Sequence, residues 1–576
     1  MAMADPLATL TAQLREVDPQ VQVLSYLDDV YVVTTTENAT EALSAAAKCF
    51  APLGLELNRS KTEAWSPKPD ADLPEGVRRP ATLVCLGSTL RWDADDELSY
   101  MEVDGEHSDD HSSQWNQSLH RLRHFTAQLD VLRQNGLPLH VALVLHRTFV
   151  NGAISHLLRA GGCPDWFAAL WDGEVKAWYS RELQRDLPDS ARTLLTLPFK
   201  LGGCGVSSVT HVRDAALVGS WDLCLKDVAT KLGANSAAQF RDGAPITSKR
   251  IDEAADRLRQ AGVPDFHFEW EAAIVEAKAG QQHEHTQAIH EARHSGLLDS
   301  LAAEAAADVR SGGGPGAGSF MDLPDESAIR LDDYRLRTCL RARLLLPHPA
   351  HDPTRASAPT THCQHRNASS GVTCGRPLDA SGQHAETCGE GGATVRGHNA
   401  VRDALAAFLV ASGSPAEIEQ HVPAWDRPER DLRGNTKVDS AGHTVYDRAI
   451  LDVSFYERGT GRRAHADVVI GSAKTVDAAD RQLRAQMDGR KAGQSAARKR
   501  ARYPPTANPG EGLVPFAIEA RGRLGEDALA LLRSMAPGDP RVRAKVLSQG
   551  MRFISACVQI RLAELLISAE TASAPK

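Results

Sequence analysis

Aromatic residues make up only 5% of the 576-residue chain, and no run of about 20 consecutive apolar residues occurs in it. The second absence leaves no membrane span to expect. The first residues, MAMADPLATL, carry an acid where a secretory leader needs a basic region, and no apolar stretch follows, so no cleaved signal is expected. A surplus of cations is missing as well, since the formal net charge is −9. A protein that coats nucleic acid uniformly would be basic, so any such contact must come from local patches. Cysteine is sparse, ten in all, and scattered except between residues 363 and 388. That pattern excludes a disulfide scaffold and suits a reducing, intracellular compartment with one metal site.

What remains is an ordinary soluble composition, 42% hydrophobic and 24% charged, in a chain too long for one core. A multidomain α/β protein is expected. Residues 1–95 alternate short apolar strands with one helical stretch, ATEALSAAAKCFAPLG. Residues 96–230 read as helices, because WNQSLHRLRHFTAQLDVLRQNG and HVALVLHRTFVNGAISHLLRAGG both carry helical apolar spacing and end at glycine. Residues 231–350 are helical and charged, interrupted by SGGGPGAGS at 311–319, which its composition marks as flexible. A Pro/Ser/Thr-rich bridge leads to a Cys/His-rich segment at 360–392. From 393 to 576 the pattern is mixed α/β, with strand candidates TVYDRAILDVSF and LVPFAIEA.

The stretch VLSYLDDVYVV (23–33) places Asp28 and Asp29 between two apolar, β-branched runs. A hairpin with Leu27, Asp28 and Asp29 at its turn suits those acids. Two carboxylates on such a tip also suit divalent cations, Mg²⁺ above all, as phosphoryl transfer uses them. An isolated pair of solvated turn acids would read the same way. After the hairpin come LGLELNRSKTE (53–63) and VCLGSTLRW (84–92). This order, Y-L-D-D then G-L-x-L-N-x-x-K then L-G-S, resembles the palm of reverse transcriptases, RNA-directed DNA polymerases, of non-LTR retrotransposons. The resemblance implies metal ligation by Asp28 with support from Asp29, and a hairpin shaped by Tyr26 near the primer end. It also implies Lys61 near the phosphates of the incoming nucleotide, and a primer-grip hairpin at Leu86, Gly87 and Ser88. Polymerisation needs a further aspartate from an earlier strand. The acids before Tyr26 are Asp5, Glu16 and Asp18, none on an apolar strand, so an incomplete polymerase site in a truncated relative is expected. Farther on, LPFKLGGCGVSSVTHVRDAALVGSW (197–221) resembles the post-thumb segment of such proteins, and a helix start after a glycine turn explains it equally.

HCQHRNASSGVTCGRPLDASGQHAETC offers Cys363, Cys374, His384 and Cys388, three thiolates and an imidazole for a closed, structural Zn²⁺ site. The spacing is loose, with no C-x-x-C pair, and His362 or His365 are alternative ligands. The order resembles the CCHC knuckle that precedes a nuclease domain in those retroelements.

Beyond it, VRGHNAVRDALAAFL carries Arg396 and His398 at a helix start. Asp439 and Asp452 follow, with twelve residues between them, and then a basic segment with Lys499 four residues before Tyr503. Carboxylates that hold Mg²⁺ and a lysine at the phosphate are the parts of metal-assisted phosphodiester cleavage. A turn acid, a strand-end acid and a solvated basic face are the bland alternative. The order resembles the restriction-enzyme-like endonuclease of the same retrotransposons, with Val438 where a proline is usual. That resemblance implies metal-binding and catalytic roles for Asp439, Asp452 and Lys499, with Tyr503 closing the motif. Lys474 and Lys491 are rivals for the lysine, and Glu519 is a candidate accessory acid on a later strand. Seven Lys/Arg against one acid between 484 and 502, among them Arg498, Arg500 and Arg502, suggest a phosphate-binding patch. DNA and RNA are the implied partners, and the nucleus the implied location. A non-catalytic nucleic-acid-binding relic is the alternative expectation.

Overall fold

The computed structural model describes residues 4–26, 29–66, 68, 70–80, 83–85, 88–92, 98–100, 114–160, 162–264, 266–323, 330–347, 361–367, 369–379, 382–431 and 433–570. For residues 4, 5, 25, 26, 29 and those between 83 and 100 it describes the backbone alone. The whole is a mixed α/β multidomain fold, 57% helical with a small mixed sheet.

The N-terminal unit comprises α1 (Ala4–Val17), β1 (Gln22–Tyr26), β2 (Asp29–Val33) and α2 (Ala39–Phe50). Strands β1 and β2 are antiparallel with Tyr26 opposite Asp29. Asp29 is therefore the first residue of a strand, not part of the turn, and Asp28 lies outside the described residues. Leu10, Leu14, Val21, Ala46 and Phe50 form a small core beneath the hairpin. Asp18, one of the early acids, accepts hydrogen bonds from the Thr34 hydroxyl at 2.7 Å and the Gln20 amide at 3.0 Å, which ties the end of α1 to the end of β2. A second sheet, β3 (Leu83–Cys85), β4 (Ser88–Trp92) and β5 (Leu98–Tyr100), is antiparallel throughout, with Cys85 opposite Ser88. The segment read as a primer grip falls between β3 and β4, with Leu86 and Gly87 outside the described residues.

The helical body holds α3 (Gln114–Gln134), α4 (Leu139–Gly152), α5 (Ser155–Ala160), α6 (Asp165–Leu183), α7 (Asp189–Thr196), α8 (Val209–Lys231), α9 (Ala237–Gly243), α10 (Pro245–Gln260), α11 (Trp270–Ala273), α12 (Gln281–Ser300), α13 (Ala303–Ser311) and α14 (Asp333–Arg343). Its core is built around Leu122, Phe167, Trp171 and Trp178. The stretch Leu139–Ala160 has the length and mean hydropathy, 1.2, of a membrane span. Its residues Leu139, Ala142, Val150, Ile154, Leu157 and Leu158 are buried in that core.

The glycine-rich segment after α13 is not a flexible break. Ser311 and Ala317 are fully buried. The Gly314 amide donates to the Lys200 carbonyl at 2.8 Å, and the Arg523 amide donates to the Ser311 carbonyl at 2.9 Å. A Cβ on Gly318 would meet Phe199 Cγ at 2.6 Å, and one on Gly313 would meet Arg523 Nη2 at 2.8 Å. Here glycine permits close backbone approach between two units, and composition alone does not separate that use from a linker.

The C-terminal unit is α15 (Gln383–Thr387), α16 (Ala393–Ala411), β6 (Ala416–His421), β7 (Arg427–Pro428), β8 (Tyr446–Asp447), β9 (Ile450–Tyr456), β10 (Arg463–Gly471), α17 (Ala478–Gln486), α18 (Arg490–Arg502), β11 (Gly512–Glu519), α19 (Glu526–Met535) and α20 (Pro540–Glu570). Its sheet runs β11-β10-β9-β6, with β10 and β11 parallel and the other pairs antiparallel. The parallel pair needs a crossover, and α17–α18 supply it. Along β10, Ala464, Ala466 and Val468 join Val401, Leu405 and Phe408 of α16 in one core. Val469 faces the other side, packed under Ala492 and Ala496 of α18. Helix α20 passes through three cores: Ala556 and Ala563 join the helical body, Cys557 and Val558 the sheet, and Leu562 and Leu566 the Cys/His module.

Candidate functional site

Isolated bridges His362 to Pro377 and Arg366 to Thr373 fold the Cys/His module into a hairpin. Cys363 and Cys374 stand on its two arms, so the ten-residue gap between them is the length of the hairpin. Helix α15 then brings His384, with Asp379 accepting the amides of Gln383 and His384 at 2.8 and 2.9 Å. The ligand atoms of Cys363, Cys374, His384 and Cys388 all lie within 4.8 Å of one another. Cys363 and Cys388 sulfurs are 3.9 Å apart, and Cys374 Sγ is 3.3 Å from His384 Nε2. A tetrahedral zinc site with bonds near 2.3 Å has sulfur–sulfur edges of about 3.8 Å, so this cluster could hold a structural metal such as zinc. Burial pushes the Cys363 thiol up to about 12, and a divalent cation is what makes such thiols ionise at neutral pH. The two alternative ligands are engaged elsewhere. His365 Nε2 contacts the Ser568 hydroxyl at 2.8 Å, and His362 Nδ1 contacts Thr361 Oγ1 at 2.8 Å.

A second cluster forms at the end of the β9–β10 ladder. Ser454 pairs with His465 and Val453 with Ala466. One step further along the same register Asp452 faces Asp467. The strands part there, and the Val468 amide donates to Asp452 Oδ2 at 2.7 Å instead of to a strand carbonyl. His398 from α16 places Nε2 3.2 Å from the same Asp452 oxygen. Lys499 from α18 places Nζ 2.7 Å from Asp467 Oδ2. The Asp467 side chain is 6% exposed, whereas Lys499 and His398 are 27% and 33% exposed, so the group opens to solvent on the lysine and histidine side.

Electrostatics separate the two acids. Burial raises Asp467, and with Asp452 alongside it sits at about 6 despite the pull of Lys499. Burial also opposes ionisation of Asp452, but hydrogen bonds from His398 and Asp467 outweigh it and hold that carboxyl below its ordinary value. The hydrogen bond to Asp452 raises His398 in turn. Tyr503 is pushed up to about 12 by burial and by the nearby acids, and its ring packs 5.7 Å from Trp425. One proton shared across neighbouring carboxylates with a cation on one side is the arrangement expected where acids lie too close to ionise together.

Several residues singled out from sequence stand elsewhere. Asp439 lies on the exposed arm between β7 and β8, where its carboxylate accepts the amides of Ala441 and His443, both at 2.9 Å. It closes its own turn, and Asp467 is the acid that meets Asp452. Lys474 is fully buried, 3.3 Å from Glu386 and 3.4 Å from Asp308. Lys491 lies along Gly471. Glu519 accepts the Lys491 and Ala492 amides at 3.0 and 3.1 Å, capping α18. The basic segment is largely paired: Arg500 with Asp527, Arg502 with Asp447 at 2.7 Å, and Arg484 with Asp480. Arg498 remains exposed. Arg396 is 3.5 Å from Glu564. Lys61 is exposed in the turn after Asn58, whose carbonyl accepts its amide at 2.9 Å. The side chains of Tyr26, Asp28, Asp29 and Gly87's surroundings lie outside the described residues.

Asp467 was missed by sequence reading, although a signal existed. RAHADVVIG alternates small or apolar Ala464, Ala466, Val468 and Ile470 with Arg463, His465, Asp467 and Val469, which is the period of a strand. No protein-family model matches the chain, and neither does any curated protein.

Proposed function

We propose that this is a reverse-transcriptase-family protein of a non-LTR retrotransposon whose unit at 393–576 nicks DNA with Mg²⁺. The observation that supports it is the side-by-side pair Asp452 and Asp467 with Lys499 Nζ 2.7 Å from Asp467. Adjacent carboxylate oxygens are the hard donors Mg²⁺ prefers. Bound there, the ion would act as a Lewis acid on a phosphodiester. The chain's own residues have separate tasks. Asp452 and Asp467 hold negative charge at the strand ends, His398 fixes the orientation of Asp452, and Lys499 offers its charge to the phosphate from the solvent side. The first motif, with Tyr26, Asp28, Asp29 and Lys61, supports the family reading, and the chemistry rests on the C-terminal acids. Zinc at Cys363, Cys374, His384 and Cys388 has a structural role in this reading. RNA, DNA and a nuclear location follow from the family.

Purified protein should convert supercoiled DNA to the nicked form in Mg²⁺. Asp452→Ala and Asp467→Ala should each lower that rate at least about 100-fold, while Asp439→Ala leaves it within about threefold. Equal nicking by Asp452→Ala sinks the assignment. Salt-sensitive DNA binding without cleavage in any variant would favour a binding relic instead.

A further inference from the structure

The segment LPFKLGG (197–203) and the helix after it have so far no role. Helix α12 lies across α7 and α8 there, and the side chains that meet are of one kind. Lys200 comes from the turn after α7, His211 from α8, and His290 and Arg293, three residues apart, from α12. His211 feels the charge of Arg293 and His290, and His290 feels that of Arg293 and Lys200. The single acid among them is Asp172 of α6. Its carboxylate is already engaged, accepting the Ser208 hydroxyl at 2.6 Å and the Val209 and Thr210 amides at 2.8 and 3.2 Å at the start of α8.

Most arginines of the helical body pair with an acid, and Arg337, Arg341 and Arg343 of α14 donate to main-chain carbonyls instead. Arg133 pairs with Glu182 and Asp333, Arg147 with Asp322, Arg213 with Asp165, and Arg257 with Asp214. Arg293 donates only to the Thr196 hydroxyl, at 2.8 Å, and its other terminal nitrogen has no partner among the described residues. Burial and neighbouring cations push His211 and His290 down to about 4, and burial brings Arg293 to about 10. Four nitrogen-bearing side chains from three elements thus gather with no free carboxylate among them, although His211 Nδ1 is 2.6 Å from the Ser208 hydroxyl. Lys200 is exposed and the other three are half-buried, so the group is reachable from solvent.

We infer that Lys200, His211, His290 and Arg293 form a binding site for a phosphate group. A guanidinium with donors to spare and imidazoles that can take up a proton are the groups that hold phosphate oxygens. The phosphate belongs either to a free ion or to a nucleic-acid backbone, and the two are separable. This site does not depend on the nuclease assignment, since a chain that never cleaves DNA still carries it.

The test uses the full chain with two probes, inorganic phosphate by calorimetry and a short single-stranded oligonucleotide by anisotropy. Wild type should bind at least one probe, more tightly at pH 5.5 than at pH 7.5, because the anion favours the protonated imidazoles. The pair His290→Gln and Arg293→Gln together should weaken that binding at least about tenfold, and Arg293→Lys, which keeps the charge and loses the fork, should weaken it less. An unchanged circular dichroism spectrum and Tm of the Gln pair show that the loss is not misfolding. Oligonucleotide binding that disappears with a methylphosphonate backbone identifies the nucleic-acid source, and binding of inorganic phosphate alone identifies the free ion. Failure of wild type to bind either probe overturns the site. So does equal binding by the Gln pair.

Discussion

In the helical core the His146 imidazole lies flat on the Trp178 indole, with centroids 4.0 Å apart and planes 5° off parallel. Neither ring nitrogen has a hydrogen-bond partner among the described residues, and the residue is fully buried. Burial, with Arg181 adding to it, drives the folded-state value down to about 3. A histidine whose folded value is depressed destabilises the fold on acidification. Its stability is intact above the unfolded value near 6.5 and is lost as pH falls toward 3. Chemical denaturation at pH 7 and pH 4.5 should show wild type losing about 2–3 kcal/mol more than His146→Phe over that interval. Equal losses would mean that the ring is reached by water. At the acid pair the sign is the opposite one for ionisation. Burial holds Asp467 protonated up to about 6, so metal-dependent nicking should rise between about pH 5 and 7 as that carboxyl ionises. A flat profile there would remove Asp467 from the proposed metal site.

Among the elements, those with strong periodicity were readable in advance. WNQSLHRLRHFTAQLDVLRQNG became α3 and ended at Gly136, HVALVLHRTFVNGAISHLLRAGG became α4 and α5, and AILDVSF and LVPFAIEA became β9 and β11. The four metal-ligand candidates of the Cys/His module came together as read. What stayed hidden depended on contacts that no local pattern encodes. Strand β10 was overlooked because two of its four inward positions, Ala464 and Ala466, are alanine, which carries little strand preference. Asp439 and Asp452 have the spacing of a pair, but a long exposed arm separates them, and register alone puts Asp467 beside Asp452. The loop after α13 looks flexible by composition and is buried by packing. Such close approaches make a prediction at Gly219 of α8, where a Cβ would fall 2.5 Å from the Gln282 amide nitrogen of α12. Gly219→Ala must push the two helices apart and should cost about 1–3 kcal/mol in urea unfolding. Gly152→Ala, in open space on α4, should not destabilise.

At the scale of the whole molecule, the units meet at one buried charge cluster. Glu386 of α15, 1% exposed, lies 2.5 Å from Arg521 and 3.3 Å from Lys474. Asp308 of α13 lies 3.2 Å from Arg521 and 3.4 Å from Lys474. Two cations from the sheet unit are thus balanced by one acid from the helical body and one from the Cys/His module. Burial opposes ionisation of Glu386, but Arg521 and Lys474 keep it below its ordinary value. Removing one partner of such a group leaves buried charge unpaired, so Glu386→Ala should cost about 3–5 kcal/mol. Glu386 also sits between His384 and Cys388, two residues from each. The Cys/His cluster therefore sets the position of an acid that joins all three units, and α20, packed on the module through Leu562 and Leu566, runs on into the other cores. Chelation of a metal held there, or Cys374→Ser, should then loosen more than residues 361–390. Hydrogen exchange should quicken around Lys474, around Arg521 and along the last turns of α20, while the β9–β10 ladder keeps its protection. With several kcal/mol withdrawn, Tm should fall by about 3–4 °C. Faster exchange confined to the module would show instead that it folds by itself and that the charge cluster holds without it.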